Sequence, residues 1–227
     1  MTVGADKNNL LEVEDLAVRF YTLRGTVHAL EDVSFKLGQG ESVGLVGETG
    51  CGKSLTARAI LRIVSPPGKI IRGNIRFEDK QLLELSEREI RQIRGNQISM
   101  IMQEPKMSLN PSMRVGKQVA ETLMIHDKSL GKRGAYAQAV DMLNAVSIPD
   151  PKHMAKRYPH ELSGGMAQRI MIAMMLVTRP KLLIADEPTS ALDVTIQAQI
   201  IDLINNLIDD IGSSVLMISH DLGVVAE

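Results

Sequence analysis

The sequence predicts an α/β fold: a mainly parallel sheet with flanking helices, an antiparallel β portion at the N-terminus and an inserted helical lobe. Three observations predict it. Short apolar runs alternate with segments of helical spacing, as in a parallel sheet with crossover helices. Residues 11–20 alternate and lead through a turn at Gly25 into more extended sequence, which is typical of antiparallel strands. Residues 113–178 are mostly helical in spacing, with Pro and Gly breaks, and form the predicted lobe.

The elements follow from local patterns, taken in order along the chain. Apolar or β-branched runs predict strands, and a serine or glycine start followed by helical spacing predicts a helix. Ser86 and Glu89 form a capping-box pattern that opens a short helix. The other predicted strands are 42–46, 70–78, 98–102, 182–185 and 214–219, and the other predicted helices are 54–63, 163–177 and 193–210.

Composition limits the classes of protein. The 227 residues are 44% hydrophobic, enough for one domain with a substantial core. Basic and acidic residues nearly balance, at 26 and 27, so we expect no nucleic acid partner. The single cysteine excludes an internal disulfide. No apolar run approaches the roughly 18–20 residues of a membrane span, and the N-terminus lacks a signal-peptide pattern, so any membrane role is expected to come through a partner.

Residues 47–54 read GETGCGKS and satisfy the phosphate-loop pattern GxxxxGK[ST] between a predicted strand and a predicted helix. Glycines let the backbone N–H groups turn toward phosphate oxygens, and the helix N-terminus adds its positive dipole end. Lys53 supplies a cation for the β- and γ-phosphates, and the Ser54 hydroxyl suits Mg²⁺. The sequence therefore predicts a P-loop NTPase core that binds ATP and Mg²⁺. The residues expected at the nucleotide are Gly47, Glu48, Thr49, Gly50, Cys51, Gly52, Lys53, Ser54 and Leu55.

Two acids, Asp186 and Glu187, end the apolar strand that starts at Leu182. The carboxyl ends of parallel strands face the ligand crevice, and neighbouring strand residues point to opposite sides. The two acids therefore have different roles. We expect Asp186 to hold Mg²⁺ and Glu187 to act as the general base toward the attacking water.

The run Leu162, Ser163, Gly164, Gly165, Met166 resembles the signature motif of ABC ATPases, and the rest of that family's motif set is present in order along nearly the whole chain. The resemblance implies a single nucleotide-binding domain over 1–227, with the helical lobe inserted in a RecA-like core. It implies that each signature closes over ATP bound to a second, identical or homologous ATPase subunit.

The same resemblance assigns further site residues. It places Gln103 at Mg²⁺ and the attacking water, and His220 at the γ-phosphate. It places Asp193, the last residue of the family's D-loop (190–193), at the dimer interface, while the residues alone predict a helix N-cap there. Phe20 is the better match for the adenine platform and Tyr21 the alternative, because only one of two neighbouring strand residues can face the base.

Segments 20–25, 103–111 and 158–166 resemble the ATPases of dipeptide, oligopeptide and nickel importers. This implies permease subunits, an extracytoplasmic binding protein reached indirectly, and a peripheral location on the cytoplasmic side of the inner membrane. Two residues depart from the commonest family pattern: Leu55 stands where a hydroxyl residue is frequent, and Met166 stands where glutamine is usual. Members of this group continue beyond the switch histidine, whereas only seven residues follow His220. Another ABC transporter, such as an exporter, and a non-transport ABC ATPase stay open as alternatives.

Overall fold

A computed structural model describes residues 9–190 and 193–220. The chain divides into two compact units. The first combines the N-terminal part, up to residue 94, with the strand that begins at residue 214, and the second covers residues 95–212.

The first unit holds most of the β structure. Its elements are β1 (Asn9–Thr22), β2 (Gly25–Gly38), β3 (Ser42–Val46), α1 (Lys53–Ile60), β4 (Gly68–Phe77), β5 (Lys80–Gln81), α2 (Glu87–Ile93) and β8 (Ser214–Ser219). As predicted, the N-terminal strands are antiparallel, in the order β2-β1-β4-β5. The capping box at Ser86 is also confirmed: its hydroxyl accepts from the Glu89 N–H, and the Glu89 carboxylate accepts from the Ser86 N–H.

The centre of this sheet is β1, because β2 and β4 pair with its two edges. Burial along it does not follow the strict alternation that the sequence suggests: Leu10 to Val13 are all buried. Glu12 belongs to this run because its carboxylate is paired with Lys36 on β2 and Arg76 on β4, which lie directly opposite it. A carboxylate enclosed by two cations can be buried where an unpaired one could not.

The strand β3 pairs in parallel with β8, from Ser42 opposite Val215 to Val46 opposite Ser219. All of β8 is buried. The helix α1 follows β3 after a short loop and ends at Ile60, three residues earlier than predicted, because Arg62 has a left-handed φ of 54° that no helix continues through. The phosphate-loop sequence therefore lies between a strand and a helix, as predicted.

The second unit contains most of the helices. Its elements are β6 (Ile98–Ile101), α3 (Pro105–Ser108), α4 (Val115–His126), α5 (Lys132–Ala145), α6 (Pro151–Met154), a 3-10 turn (Pro159–Glu161), α7 (Gly164–Leu176), β7 (Leu182–Asp186) and α8 (Val194–Ile211). The strands β6 and β7 are parallel and fully buried. Helices occupy most of the range 113–178, the predicted helical lobe, and a mixed α/β fold with a parallel portion is confirmed.

Close backbone approach fixes the start of α4. The N–H of Gly116 donates to the Ala155 carbonyl at 3.0 Å, and a side chain at Gly116 would come within 2.6 Å of the Ala155 Cβ. Val115 likewise donates to the Arg157 carbonyl. The segment before the signature motif is thereby held against α4 by backbone hydrogen bonds.

Candidate functional site

The phosphate loop turns tightly between β3 and α1. Gly50 and Gly52 have φ values of 89° and 101°, which side chains disfavour. Gly52 is the N-cap of α1, and a Cβ there would overlap the Leu30 Cδ2 atom. The left-handed backbone at Gly52 therefore favours glycine, and a side chain there would also displace the Leu30 side chain of β2.

Lys53 lies at the first helical position and is only 7% exposed. Its ammonium donates to the carbonyl oxygens of Gly47 at 2.7 Å and Glu48 at 2.9 Å, and the Cys51 Sγ atom is 3.8 Å away. Among the described residues, the hydrogen-bond partners of the Lys53 ammonium include no carboxylate. The loop thus curls around a buried cation with neutral partners, an arrangement suited to an anionic ligand.

The next three side chains on α1 differ in burial and hydrogen bonding. Ser54 and Leu55 are half-buried, and the predicted roles of both at the nucleotide stay predictions. The hydroxyl of Thr56 donates to the Gly52 carbonyl at 3.1 Å, within the first turn of the helix. The threonine that follows Leu55 is therefore engaged with the helix backbone.

The two acids end β7 in different environments. Asp186 is 4% exposed, whereas Glu187 is half-buried and begins a turn. Glu187 has a φ of 46°, a left-handed conformation that costs a non-glycine residue about 1–3 kcal/mol. The N–H and hydroxyl of Ser190 both lie 3.3 Å from the Glu187 carbonyl oxygen and stabilise the turn.

Gln103 follows β6, which pairs with β7, and its side chain contacts the side chain of Glu187 at the end of β7. Its Nε2 atom donates to the Glu187 Oε2 atom at 2.9 Å. Sequence reasoning assigned both residues to the attacking water, and the structure brings their side chains together within one unit. The carboxylate of Glu187 is thus oriented by an exposed amide.

Two glutamines that sequence reasoning missed hold the backbone of the same turn. Gln168 on α7 donates from Nε2 to the Pro188 carbonyl at 2.5 Å, and Gln197 on α8 donates to the Thr189 carbonyl at 3.1 Å. Gln168 is 1% exposed. A signal for it did exist: a glutamine one turn after Gly164 and one turn before Ile172 lies on the apolar face of the predicted helix.

The signature segment is a helix N-terminus, as predicted. Ser163 is the N-cap of α7, and its hydroxyl accepts from the Met166 N–H at 3.3 Å. Leu162 is buried, while Ser163 and Gly164 are exposed. A Cβ on Gly165 would make only an ordinary contact, 3.5 Å from the Ile196 Cγ2 atom. The packing of this chain therefore does not itself require glycine at that position.

The two adenine candidates differ in their packing. The Phe20 ring lies against Gly68, where a Cβ would come within 2.7 Å of its Cε1 atom. Tyr21 is 49% exposed, with the Lys69 ammonium 5.9 Å from its ring centre.

The remaining predicted residues lie at element ends. His220 follows β8 and is exposed. Asp193 is the N-cap residue of α8, as predicted, and its carbonyl oxygen accepts from the N–H groups of Ile196 and Gln197. In the described part of the chain its carboxylate makes no capping hydrogen bond. Residues 191–192 of the expected D-loop lie outside the described residues.

Across 9–190 and 193–220, no helix combines the length and apolar character needed to cross a membrane. The same ranges contain no group of three or more His, Cys, Asp or Glu side chains that could hold a metal ion.

A phosphate loop at a helix start, and two acids at the end of a parallel strand, define a P-loop α/β nucleotide-binding protein. The chain belongs to the ABC transporter family, whose family description matches residues 30–190.

Named relatives are consistent with this membership. The chain is 53% identical over 218 residues to the oligopeptide transport ATP-binding protein OppD of Bacillus subtilis, covering 96% of this chain and 61% of that protein. It is 53% identical over 219 residues to OppD of Salmonella typhimurium, covering 96% and 65%. The chain thus spans less than two thirds of the length of these two relatives.

A solved structure shares the fold. The ATP-binding cassette MJ0796, in a dimeric post-hydrolysis state bound to ADP and Pi, superposes with a TM-score of 0.84 at 24% identity. The match covers 95% of this chain and 90% of that one.

Proposed function

We propose that this chain is the ATP-hydrolysing part of an ABC importer subunit that transports peptides (dipeptides or oligopeptides) or nickel. The observation that carries the proposal is Lys53. A buried ammonium within a glycine-containing loop, with carbonyl oxygens as its hydrogen-bond acceptors, is suited to bind phosphate oxygens. The helix α1 directs its N-terminus at the same point.

Mg²⁺ fits the donor set that the sequence predicts. Ser54, Gln103 and Asp186 offer hydroxyl, amide and carboxylate oxygens, which this hard cation prefers. The described residues hold no cluster that could cage a metal alone, and Mg²⁺ sites in ATPases commonly add phosphate and water oxygens to one or two carboxylates. When bound, Mg²⁺ would neutralise charge on the phosphates. The nearly buried Asp186 is the acid best suited to hold it.

Glu187 acts as the general base in this proposal. Its half-buried carboxylate is positioned by the Gln103 amide and by a turn that Ser190 stabilises. A base needs an oxygen free to accept a proton from water. A carboxylate has two oxygens with about four acceptor sites, so the hydrogen bond from Gln103 does not prevent Glu187 from accepting the proton of the attacking water. His220 contacts the γ-phosphate as the family resemblance implies.

The signature of one chain completes the site of a second ATPase subunit, identical or homologous. The start of α7 is exposed and presents N–H groups, and Gly165 leaves space that the packing of its own chain does not use. A helix N-terminus with free space beside it suits a phosphate approaching from another chain. MJ0796, which shares the fold, is dimeric when bound to ADP and Pi. Asp193, exposed at the start of α8, is assigned to the same interface.

Phe20 is the adenine platform in this proposal, with Tyr21 as the alternative. On β1, Phe20 is two residues from Val18, which pairs with Leu30. Leu30 contacts Gly52 of the phosphate loop. Side chains two apart on a strand share a face, and β4 pairs with Val18 to Phe20 without a register shift. Phe20 is therefore expected on the face of this sheet that approaches Gly52, and Tyr21 on the other.

The partners follow from the same proposal. Permease subunits bind the chain at the cytoplasmic side of the inner membrane, with 104–111 as the contact segment, and an extracytoplasmic binding protein supplies the cargo. The three segments that resemble the importer ATPases, 20–25, 103–111 and 158–166, favour an importer. They include the proposed site residues Phe20, Gln103 and Met166. The OppD relatives, named as oligopeptide transport proteins, favour peptide cargo. The two units form one nucleotide-binding domain that includes the helical lobe.

The test compares two substitutions in the complex isolated with its membrane subunits. Glu187→Gln keeps the shape of the side chain but cannot accept the proton, so ATP should bind while turnover falls by about 10²–10⁴-fold. Lys53→Ala should lose ATP affinity as well as turnover. ATP binding and phosphate release are measured separately.

Each outcome tests a different part of the proposal. Parent-rate hydrolysis by Glu187→Gln would remove Glu187 as the base, and unaltered ATP affinity of Lys53→Ala would remove Lys53 from the phosphate site. Identification of the co-purifying subunits, with ATP-driven peptide uptake into proteoliposomes, separates an importer from an exporter or a non-transport ATPase.

A further inference from the structure

Gln168 is a buried polar residue on a helix whose other buried side chains are apolar. It is 1% exposed, in the middle of a helix that begins at the signature serine. Its Nε2 atom donates to the carbonyl oxygen of Pro188 at 2.5 Å. Pro188 is itself buried and follows Glu187 directly. One hydrogen bond thus joins the signature helix to the turn that carries the base.

The bond connects two points that cannot move independently. Ser163 and Gln168 are five residues apart on α7, about 7.5 Å along a rigid helix. A buried carbonyl that loses its donor is costly, so Pro188 tends to follow Gln168 when α7 shifts. Displacement of the helix start therefore reaches the backbone beside Glu187.

The conformation of Glu187 is sensitive to small shifts in its surroundings. Glu187 has a left-handed φ of 46°, and its carboxylate is held by the Gln103 amide. A strained residue held by neighbouring contacts changes conformation when those contacts shift slightly. The base is therefore sensitive to the position of the carbonyl that follows it.

We propose that Gln168 is a positioning residue that couples the two nucleotide sites of the dimer. When the signature of this chain closes on the partner's nucleotide, α7 moves the Pro188 carbonyl through Gln168 and sets Glu187 for hydrolysis of this chain's own ATP. This inference rests on the proposed function. In this proposal, nucleotide binding at one site of the dimer changes the rate of hydrolysis at the other through Gln168.

The experiment uses Gln168→Met in the assembled complex, because methionine matches the volume of glutamine and donates no hydrogen bond. We expect kcat to fall about ten-fold, with the KM for ATP unchanged and the Hill coefficient for ATP reduced toward one. The matched control is Gln197→Met, which removes a similar bond to the same turn from α8, a helix without a signature. The control should keep its cooperativity.

A double-mutant cycle with Ser163→Ala gives the second readout. If Gln168 carries the effect of the signature, Gln168→Met should lower kcat little further once Ser163 is replaced. Should Gln168→Met fail to fold, Gln168→Asn keeps the amide and withdraws it by one methylene, and the same readouts apply.

The refuting outcomes are separable. Additive effects of the Ser163 and Gln168 substitutions, or equal loss of cooperativity in the Gln197→Met control, would overturn the role of Gln168 while leaving the ATPase proposal intact. A parent complex that does not hydrolyse ATP would overturn both.

Discussion

Gly52 is the residue of the phosphate loop whose replacement should have the clearest structural cost. It has φ 101° and ψ 3°, and a methyl group there would overlap Leu30 Cδ2 and lie 3.3 Å from the Ala29 carbonyl oxygen. A left-handed conformation costs alanine about 1–2 kcal/mol. Overpacking costs typically about 1–3 kcal/mol, and Leu30 is buried and cannot swing into solvent. Gly52→Ala should therefore destabilise the fold by about 2–5 kcal/mol.

Gly50→Ala is the matched control, because φ is 89° there but nothing lies within 4 Å of the added methyl group. Only the conformational cost of about 1–2 kcal/mol applies. Thermal unfolding without nucleotide should show the midpoint lowered by roughly 10 °C for Gly52→Ala and roughly 5 °C for Gly50→Ala. Equal midpoints for the two variants would refute the contact with Leu30 as a source of the requirement for glycine.

Two further predictions concern the antiparallel sheet. Glu12→Gln should destabilise the fold by about 1–3 kcal/mol, because Lys36 and Arg76 lose their shared carboxylate. These cations hold the pKa of Glu12 below its ordinary value, so this stability is present above about pH 4.5 and is lost as the pH falls through the lowered pKa. The acid-induced fall in the unfolding midpoint should then be smaller in Glu12→Gln, and an equal fall would contradict the pairing. Gly68→Ala should displace the Phe20 ring and weaken ATP binding more than Tyr21→Ala does, measured by nucleotide titration, whereas the reverse order would identify Tyr21 as the platform.

Much of the fold and of the family motifs could be predicted because each depends on a short stretch of sequence. The phosphate loop, the capping box at Ser86 and the helix start at Ser163 are local patterns, and the structure has all three. The alternation of strands and helices likewise predicted a mainly parallel sheet, and β6 and β7 pair in parallel.

The rest depends on contacts between distant residues. Gln168 and Pro188 are 20 positions apart, and nothing near either one indicates that they meet. The burial of Glu12 depends on the register that sets Lys36 and Arg76 opposite it, which a single strand sequence does not contain. Asp193 shows the opposite case: a residue type that favours an N-cap occupies the position without making the bond.

The state of Lys53 also constrains how ATP binding can work. A buried ammonium without partners would be costly, and the two loop carbonyls offset that cost. The ammonium has three N–H donors, so a phosphate oxygen can bind beside these two carbonyls or replace one of them. Hydrogen bonds to charged acceptors are about twice as strong as neutral ones, so the exchange favours phosphate. The neutral carbonyl partners therefore stabilise the buried cation and leave it able to favour an anionic acceptor.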